Sequence, residues 1–317
     1  MRANESTRRE FLNHLSLAAL AFGAGSRIAR AGSDEPHLVF PTAPRSRLAV
    51  TSYPFRELIE SPTNHGRNRQ QPGMDLKEFP GMIAKRFGVH NINPLADHFA
   101  STDSAYLDAF RKAVEQADSR MVDLGLSGRK FWDPDPAERE AAVEYGKKWI
   151  DIATAVGSPS VRQHLAGSHG MKPDVDLAAK SLGALADYGV SKDIVVILEN
   201  DSAVNEDPFL IVKIIETVRN PYLRALPDLG NTLQGGDADL NERGVRAMFQ
   251  HAFNMCHVKD AVMGAGGQVY KVDLAKMFGI AKASGYKGYF SMEWETRLAD
   301  PFTGTERLIQ ETLKYLT

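Results

Sequence analysis

Residues 194–230 read IVVILENDSAVNEDPFLIVKIIETVRNPYLRALPDLG, and their texture changes twice. The run 194–200 is β-branched and apolar until it ends in Glu199 and Asn200. A longer segment with helical periodicity follows. A second strand-like run, 223–230, then ends on another acid, Asp228. Parallel strands covered on both faces read as such continuous apolar runs, and the period of the apolar residues separates them from helices.

The same alternation runs outward in both directions. Strand-like runs fall at 47–53, 89–95, 120–126, 159–165, 194–200, 223–230, 253–260 and 288–295. Helical segments lie between them. In 135–157, Asp135 or Pro136 suits a start, and Ala141, Val143, Trp149, Ile152 and Ala153 suggest one apolar face. Segments 174–190 and 271–286 follow the same grammar, each ending near a glycine. Eight strand–helix units without a break in composition predict an α/β protein with a single (β/α)8 TIM barrel over residues 46–317. An open doubly wound sheet would carry a G-x-G-x-x-G turn after an early strand, and none of these runs supplies one. The polar stretch 61–73 reads as a long loop over one barrel end.

Residues 1–31 read differently. Arg8 and Arg9 precede Phe11-Leu12, a short apolar stretch and an Ala29-Arg30-Ala31 site, the pattern of a cleavable secretory signal of the twin-arginine class. Residues 32–45 are then a linker, and the protein is expected to be exported to the periplasm. The rest of the chain contains no run long enough to span a membrane. With 38 basic and 40 acidic residues, the formal charge of −2 gives no footprint for nucleic acid. Losing Arg2, Arg8, Arg9, Arg27 and Arg30 against Glu5 and Glu10 would make the remainder more acidic still. One cysteine, Cys256, excludes an internal disulfide. A small-molecule partner is expected, and a homo-oligomer is compatible with the composition.

In a barrel, chemistry sits where the strands stop. Strand five ends in Glu199, strand six in Asp228, strand seven in His257 and strand eight in Glu293, within SMEWE (291–295). Three carboxylates and an imidazole at one level of the rim would repel one another without a divalent cation among them. Lys259 follows His257 by two and faces the same side; it polarises a carbonyl or simply pairs with Asp260. His164, with Arg162 beneath it, ends strand four and suits a sugar hydroxyl or an internal pair. Glu295 returns to the barrel side. Trp294 reads as core, Cys256 as an inert buried thiol, and His98 as a solvated loop residue or, alternatively, one that approaches the site from strand two.

The motifs ILEN, PDLGN, HVKD and SMEWE resemble the strand-end motifs of the xylose isomerase-like barrel superfamily, over roughly residues 46–316. That group includes sugar isomerases and epimerases, inosose dehydratases and apurinic endonucleases. The resemblance implies one divalent ion (Mn, Mg or Co, with Zn compatible by ligand type) held by Glu199, Asp228, His257 and Glu293. It implies Glu199 and Glu293 as acid and base on opposite faces of a sugar or polyol, inverting a centre through an enediolate that the cation stabilises. The same opening step also serves a lyase or dehydratase, and a non-catalytic carbohydrate-binding barrel is a further alternative. Two departures stand out. Asn231 occupies a position where many sugar epimerases place a substrate-contacting histidine, and strand two carries Asn91 and Asn93 where they commonly carry a glutamate.

Overall fold

Strands that are apolar on both faces need cover inside and out, and the chain supplies it by closing them into a cylinder ringed by helices. The computed structural model describes residues 35–168, 170–296 and 299–316, and from Glu35 onward the chain forms one compact unit. The staves are β1 (Leu48–Thr51), β2 (Asn91–Asn93), β3 (Arg120–Met121) with β4 (Leu124–Arg129), β5 (Ser160–Leu165), β6 (Val195–Glu199), β7 (Leu223–Leu226) and β8 (Met255–Val258). A hairpin, β9 (Ala261–Met263) and β10 (Val269–Lys271), precedes the last stave, β11 (Tyr289–Met292). Neighbouring staves pair in parallel, β11 returning to β1. Isolated parallel bridges, Leu95 with Gly125, Ala225 with Ala252 and Asp228 with His257, close the two remaining seams. The expected (β/α)8 barrel is what forms. The signal expected at 1–31 lies outside the described residues.

The helices are α1 (Phe79–Phe87), α2 (Ser104–Gln116), α3 (Pro136–Val156), α4 (Val175–Lys192), α5 (Pro208–Val218), α6 (Ala238–Phe249), α7 (Leu274–Ala283) and α8 (Pro301–Leu316). All but the first start on an aspartate whose carboxylate accepts from backbone N–H groups of the opening turn: Asp103, Asp135, Asp174, Asp207, Asp237, Asp273 and Asp300. Such caps satisfy orphan donors and place negative charge at the positive end of the helix dipole. In α3 the buried face is Ala142, Val143, Trp149, Ile150, Ile152 and Ala153, whereas Ala141 is exposed, one position off the expected stripe. Gly157 ends that helix at φ 78°, in the left-handed region that favours glycine. Before β1, Phe40 of the expected linker packs edge-on against Phe253 and Tyr289.

Two local features bear on the barrel interior. The third stave is broken, contrary to the single run expected at 120–126: Asn91 and Ile92 pair with Arg120 and Met121, while Leu124–Leu126 pairs with β5. Asp123, fully buried, sits in the break and accepts a 2.6 Å hydrogen bond from Ser160 Oγ. Asn254 Nδ2 in turn donates to Ser160 Oγ (2.8 Å) and to the Val122 carbonyl (2.7 Å). Trp294, as expected, is core. Its ring packs on α8 at Gly304, where an added Cβ would come within 2.4 Å of the indole.

Both features give stability tests. Burial pushes the Asp123 carboxyl up to about 6, against an ordinary 3.8, with the Ser160 hydrogen bond opposing. Between those values the folded protein keeps a proton that the unfolded chain has released, so stability falls as pH rises through the window, by up to about 3 kcal/mol. Asp123→Asn is expected to remove this slope in urea midpoints compared at pH 4 and pH 7; an unchanged slope contradicts the assignment. Gly304→Ala is expected to lose about 1–3 kcal/mol by overpacking against Trp294, despite the higher helix propensity of alanine. An unshifted denaturation midpoint would show that the indole yields freely.

Candidate metal centre and active site

Glu199 is the last residue of β6, Asp228 lies two residues past β7, His257 is in β8, and Glu293 follows β11. The register explains their meeting. Asp228 bridges His257 across one seam, and Ser291 pairs with His257 across the next, so Glu293 emerges beside the imidazole. All four side chains are buried, and each offers one ligand atom within 4.8 Å of the others. Donors about 2.1 Å from a Mg²⁺-sized ion lie at most about 4.2 Å apart, so the spacing of this cluster is of the size such an ion would need.

The donors are only partly satisfied by one another. His257 Nδ1 lies 2.6 Å from Glu199 Oε1 and 3.2 Å from Glu293 Oε2, and its Nε2 is 3.3 Å from Asn93 Nδ2. Asp228 Oδ1 accepts from the Gly230 and Asn231 amides at 2.8 and 2.6 Å. Its Oδ2 is buried with no hydrogen-bond partner among the described residues, 3.4 Å from Lys259 Nζ. A buried carboxylate oxygen left in that state is costly, and it is the kind of atom a cation would engage. The donor set, three carboxylates and one imidazole, suits Mg²⁺, Mn²⁺ or Co²⁺.

Charge counting agrees. Glu199, Asp228, Glu293 and Glu295 face two permanent cations, Arg162 and Lys259. Arg162 Nη1 donates to Glu199 Oε2 at 2.9 Å. Lys259 is 1% exposed; its Nζ donates to Glu295 Oε1 (2.5 Å) and Asn231 Oδ1 (2.7 Å) and stands 3.2 Å from Glu293 Oε2. Carboxylates thus outnumber the permanent cations here, and the cluster is acidic before His257 is counted. The surplus shows in the titrating groups. Burial, reinforced by Glu199 and Glu293 and opposed by Lys259, pushes the Asp228 carboxyl up to about 7. For His257 burial disfavours the imidazolium, yet Glu199 and Glu293 raise it to about 9. Burial also works against the Glu199 carboxylate, but His257 and Arg162 hold it well below its usual range.

Every residue singled out for the site is therefore gathered in one place. Arg162, His164, Glu199, Asn231, Lys259, Glu293 and Glu295 line a cavity of about 250 Å³, with Asp228 and His257 buried beside it. Two secondary readings change. Lys259 does not pair with Asp260, which binds Arg307 at 2.6 Å instead; its partners come from strands six and eight. His98 is not solvated: it is 2% exposed, and its Nδ1 lies 2.7 Å from Ser52 Oγ, the atom that accepts from the Leu95 amide. Burial, aided by Arg56, lowers it to about 3, so it is a neutral brace between the first two staves. Asn93 of strand two touches His257, and its Oδ1 accepts from Ser291 Oγ at 2.5 Å. Cys256 is buried as expected, and burial pushes its thiol up.

Sequence reasoning missed Tyr53, Asp97, Asp201 and Glu206. The first three line the cavity. Glu206 is 4% exposed and accepts from His164 Nδ1. Nothing in NEDP (205–208), which reads as a helix start, signals that contact.

Comparison with known proteins agrees with this architecture. The family described as "Xylose isomerase-like TIM barrel" matches residues 83–317. No curated protein matches the chain in sequence. Among solved structures, D-psicose 3-epimerase from Clostridium cellulolyticum H10 is 12% identical, with 85% of this chain and 97% of that one covered at a TM-score of 0.64. A xylose isomerase-like TIM barrel protein from Mycobacterium smegmatis in complex with magnesium is 16% identical, with coverage of 86% and 96% and a TM-score of 0.63. D-allulose 3-epimerase from Methylomonas sp. is 16% identical, with coverage of 88% and 98% and a TM-score of 0.62. At such identities the likeness establishes the fold alone.

Proposed function

The chain belongs to the xylose isomerase-like TIM barrel family, and from that premise we propose that it is a divalent-metal-dependent sugar isomerase or epimerase. The observation that carries the proposal is the convergence of Glu199, Asp228, His257 and Glu293 within 4.8 Å, with Asp228 Oδ2 buried and unbonded. These four would hold the ion. When bound, a divalent cation supplies Lewis-acid stabilisation of the negative charge that builds on oxygen as a proton leaves the carbon beside a carbonyl.

The remaining work falls to the chain's own groups. One of Glu199 and Glu293 removes the proton and the other returns one, a division that inverts the centre when they act from opposite faces. Arg162, bound to Glu199 Oε2, orients that carboxylate and keeps it ionised before it accepts a proton. Lys259, steadied by Asn231 and Glu295, puts a fixed positive charge beside Glu293. Tyr53, Leu95 and Leu126 line the cavity with aromatic and apolar surface. Its volume sits just below the roughly 300–1,000 Å³ typical of ligand sites, which favours a single sugar or polyol over a polymer. The lining acids Asp97, Glu199, Asp201, Glu293 and Glu295 outnumber Arg162 and Lys259, which favours a neutral substrate over a sugar phosphate.

A lyase or dehydratase shares the first step and differs in losing a leaving group afterwards. Asn231, at the position where many sugar epimerases carry a substrate-contacting histidine, is engaged with Lys259 and the Asn200 carbonyl, which favours keeping this second reading.

Four outcomes are expected. Metal-loaded protein incubated in D₂O with neutral ketoses and oxidised glycosides should place solvent deuterium on one inverted carbon, read by NMR; an unsaturated or cleaved product selects the lyase, and no exchange with any sugar contradicts both. Glu199→Gln and Glu293→Gln should each lower turnover by about 10²–10⁴-fold, and phosphorylated counterparts of a turned-over sugar should be poor substrates. The reading of residues 1–31 as a twin-arginine signal belongs to the same proposal: Arg8→Lys with Arg9→Lys should hold the protein in the cytoplasmic fraction, and undiminished export would remove it.

A further inference from the structure

Beside the metal cluster, strand four contributes a second arrangement that the proposed reaction leaves without a role. His164 Nδ1 lies 2.7 Å from Glu206 Oε1, and the same oxygen lies 2.7 Å from the Leu165 amide nitrogen. A backbone N–H can only donate, so Oε1 is an acceptor. Glu206 is 4% exposed and sits just before α5, while His164 is partly open to the cavity. An Nδ1–H donating to an anchored carboxylate settles which imidazole nitrogen carries the proton. In the neutral ring the other nitrogen, Nε2, is then an acceptor. It faces Arg162 Nη1, which contacts it as a donor, and stands 3.7 Å from Glu199 Oε2.

We propose that Glu206 is a positioning residue that locks His164 as the Nδ1–H tautomer, so that Nε2 offers the cavity an acceptor for a substrate hydroxyl. The lock follows from geometry alone; only the hydroxyl as its occupant rests on the sugar reading above. The charged groups around the ring are Arg162, a permanent donor, Glu199, an acceptor 3.7 Å from Nε2, and Asp201, which with Glu206 and a ring nitrogen forms a group within 4.8 Å. With the cavity otherwise rich in carboxylates, a hydroxyl there both donates to Nε2 and accepts from the Arg162 guanidinium. A methylene or an ether oxygen at the same position cannot donate, and Nε2 falls back on Arg162. The discrimination is therefore moderate, about tenfold in affinity, because no buried polar atom is left bare.

Mg²⁺-saturated protein, wild type and variants, tests both halves by long-range ¹H–¹⁵N NMR of the histidine rings and by titration with D-tagatose and its deoxy analogues. In the wild type, His164 should show a protonated Nδ1 and a bare Nε2. Glu206→Gln, which keeps an uncharged acceptor, should preserve that signature and the sugar affinity. Glu206→Ala should lose the signature and weaken binding about tenfold. A wild-type Nε2–H tautomer, or an unchanged signature in Glu206→Ala, overturns the lock. Loss in Glu206→Gln as severe as in Glu206→Ala overturns it in favour of a role for the Glu206 charge. An intact lock with every deoxy analogue bound as tightly as D-tagatose overturns the hydroxyl contact. Failure of D-tagatose and of every other neutral ketose screened to bind, while the lock is seen, overturns the hydroxyl contact and the sugar reading it rests on, and leaves the tautomer standing.

Discussion

Three carboxylates and an imidazole buried at one end of a narrow barrel cannot coexist without positive charge among them. The rest of this structure is arranged around that constraint. Coulomb repulsion between like charges a few ångströms apart is worth several kcal/mol away from water, so each acid here is held in place by something else. Arg162 sits under Glu199, Lys259 lies between Asp228, Glu293 and Glu295, and His257 leans on Glu199. Those partners neutralise part of the charge. What they leave over is negative charge that a divalent ion would offset, and Asp228 Oδ2, near Lys259 at 3.4 Å but without a hydrogen bond, is an atom such an ion would engage.

The barrel makes this convergence cheap in backbone terms. Parallel staves in register deliver their ends to one level, so ligands one βα unit apart in sequence become neighbours in space. Aspartate caps fix where seven of the eight helices begin, and the Asp228–His257 bridge draws one seam together beside the acidic cluster. The floor is built for stiffness rather than reaction: Asp123, Ser160 and Asn254 tie the third, fourth and seventh staves together beneath Arg162. His98 does the same work between the first two staves.

The four strand-end residues were legible in the sequence because a strand's end and its period of two are local properties. Glu199, Asp228, His257 and Glu293 needed only the βα rhythm to be placed on one rim. Partner choice was not local. Lys259 had Asp260 as its sequence neighbour, yet Asp260 points to Arg307 on α8 while Lys259 turns inward to residues 228, 293 and 295. His98 looked like a loop histidine because nothing near it in sequence reveals Ser52 of the first βα loop. Glu206 looked like an acidic helix start, since its contact with His164 spans 42 residues. The break in the third stave has no local sign because the Asp123 carboxylate accepts from Ser160, 37 residues away in sequence on the neighbouring stave.

The claim that a divalent ion belongs among Glu199, Asp228, His257 and Glu293 is tested most directly by metal stoichiometry. Elemental analysis of purified wild-type protein equilibrated with Mn²⁺, Mg²⁺ or Co²⁺ should give one tightly held ion per chain, and Asp228→Asn and His257→Ala, if still folded by circular dichroism, should release it. A folded wild-type protein that retains no divalent ion, or one whose ion stays bound with equal affinity in both variants, would contradict the account.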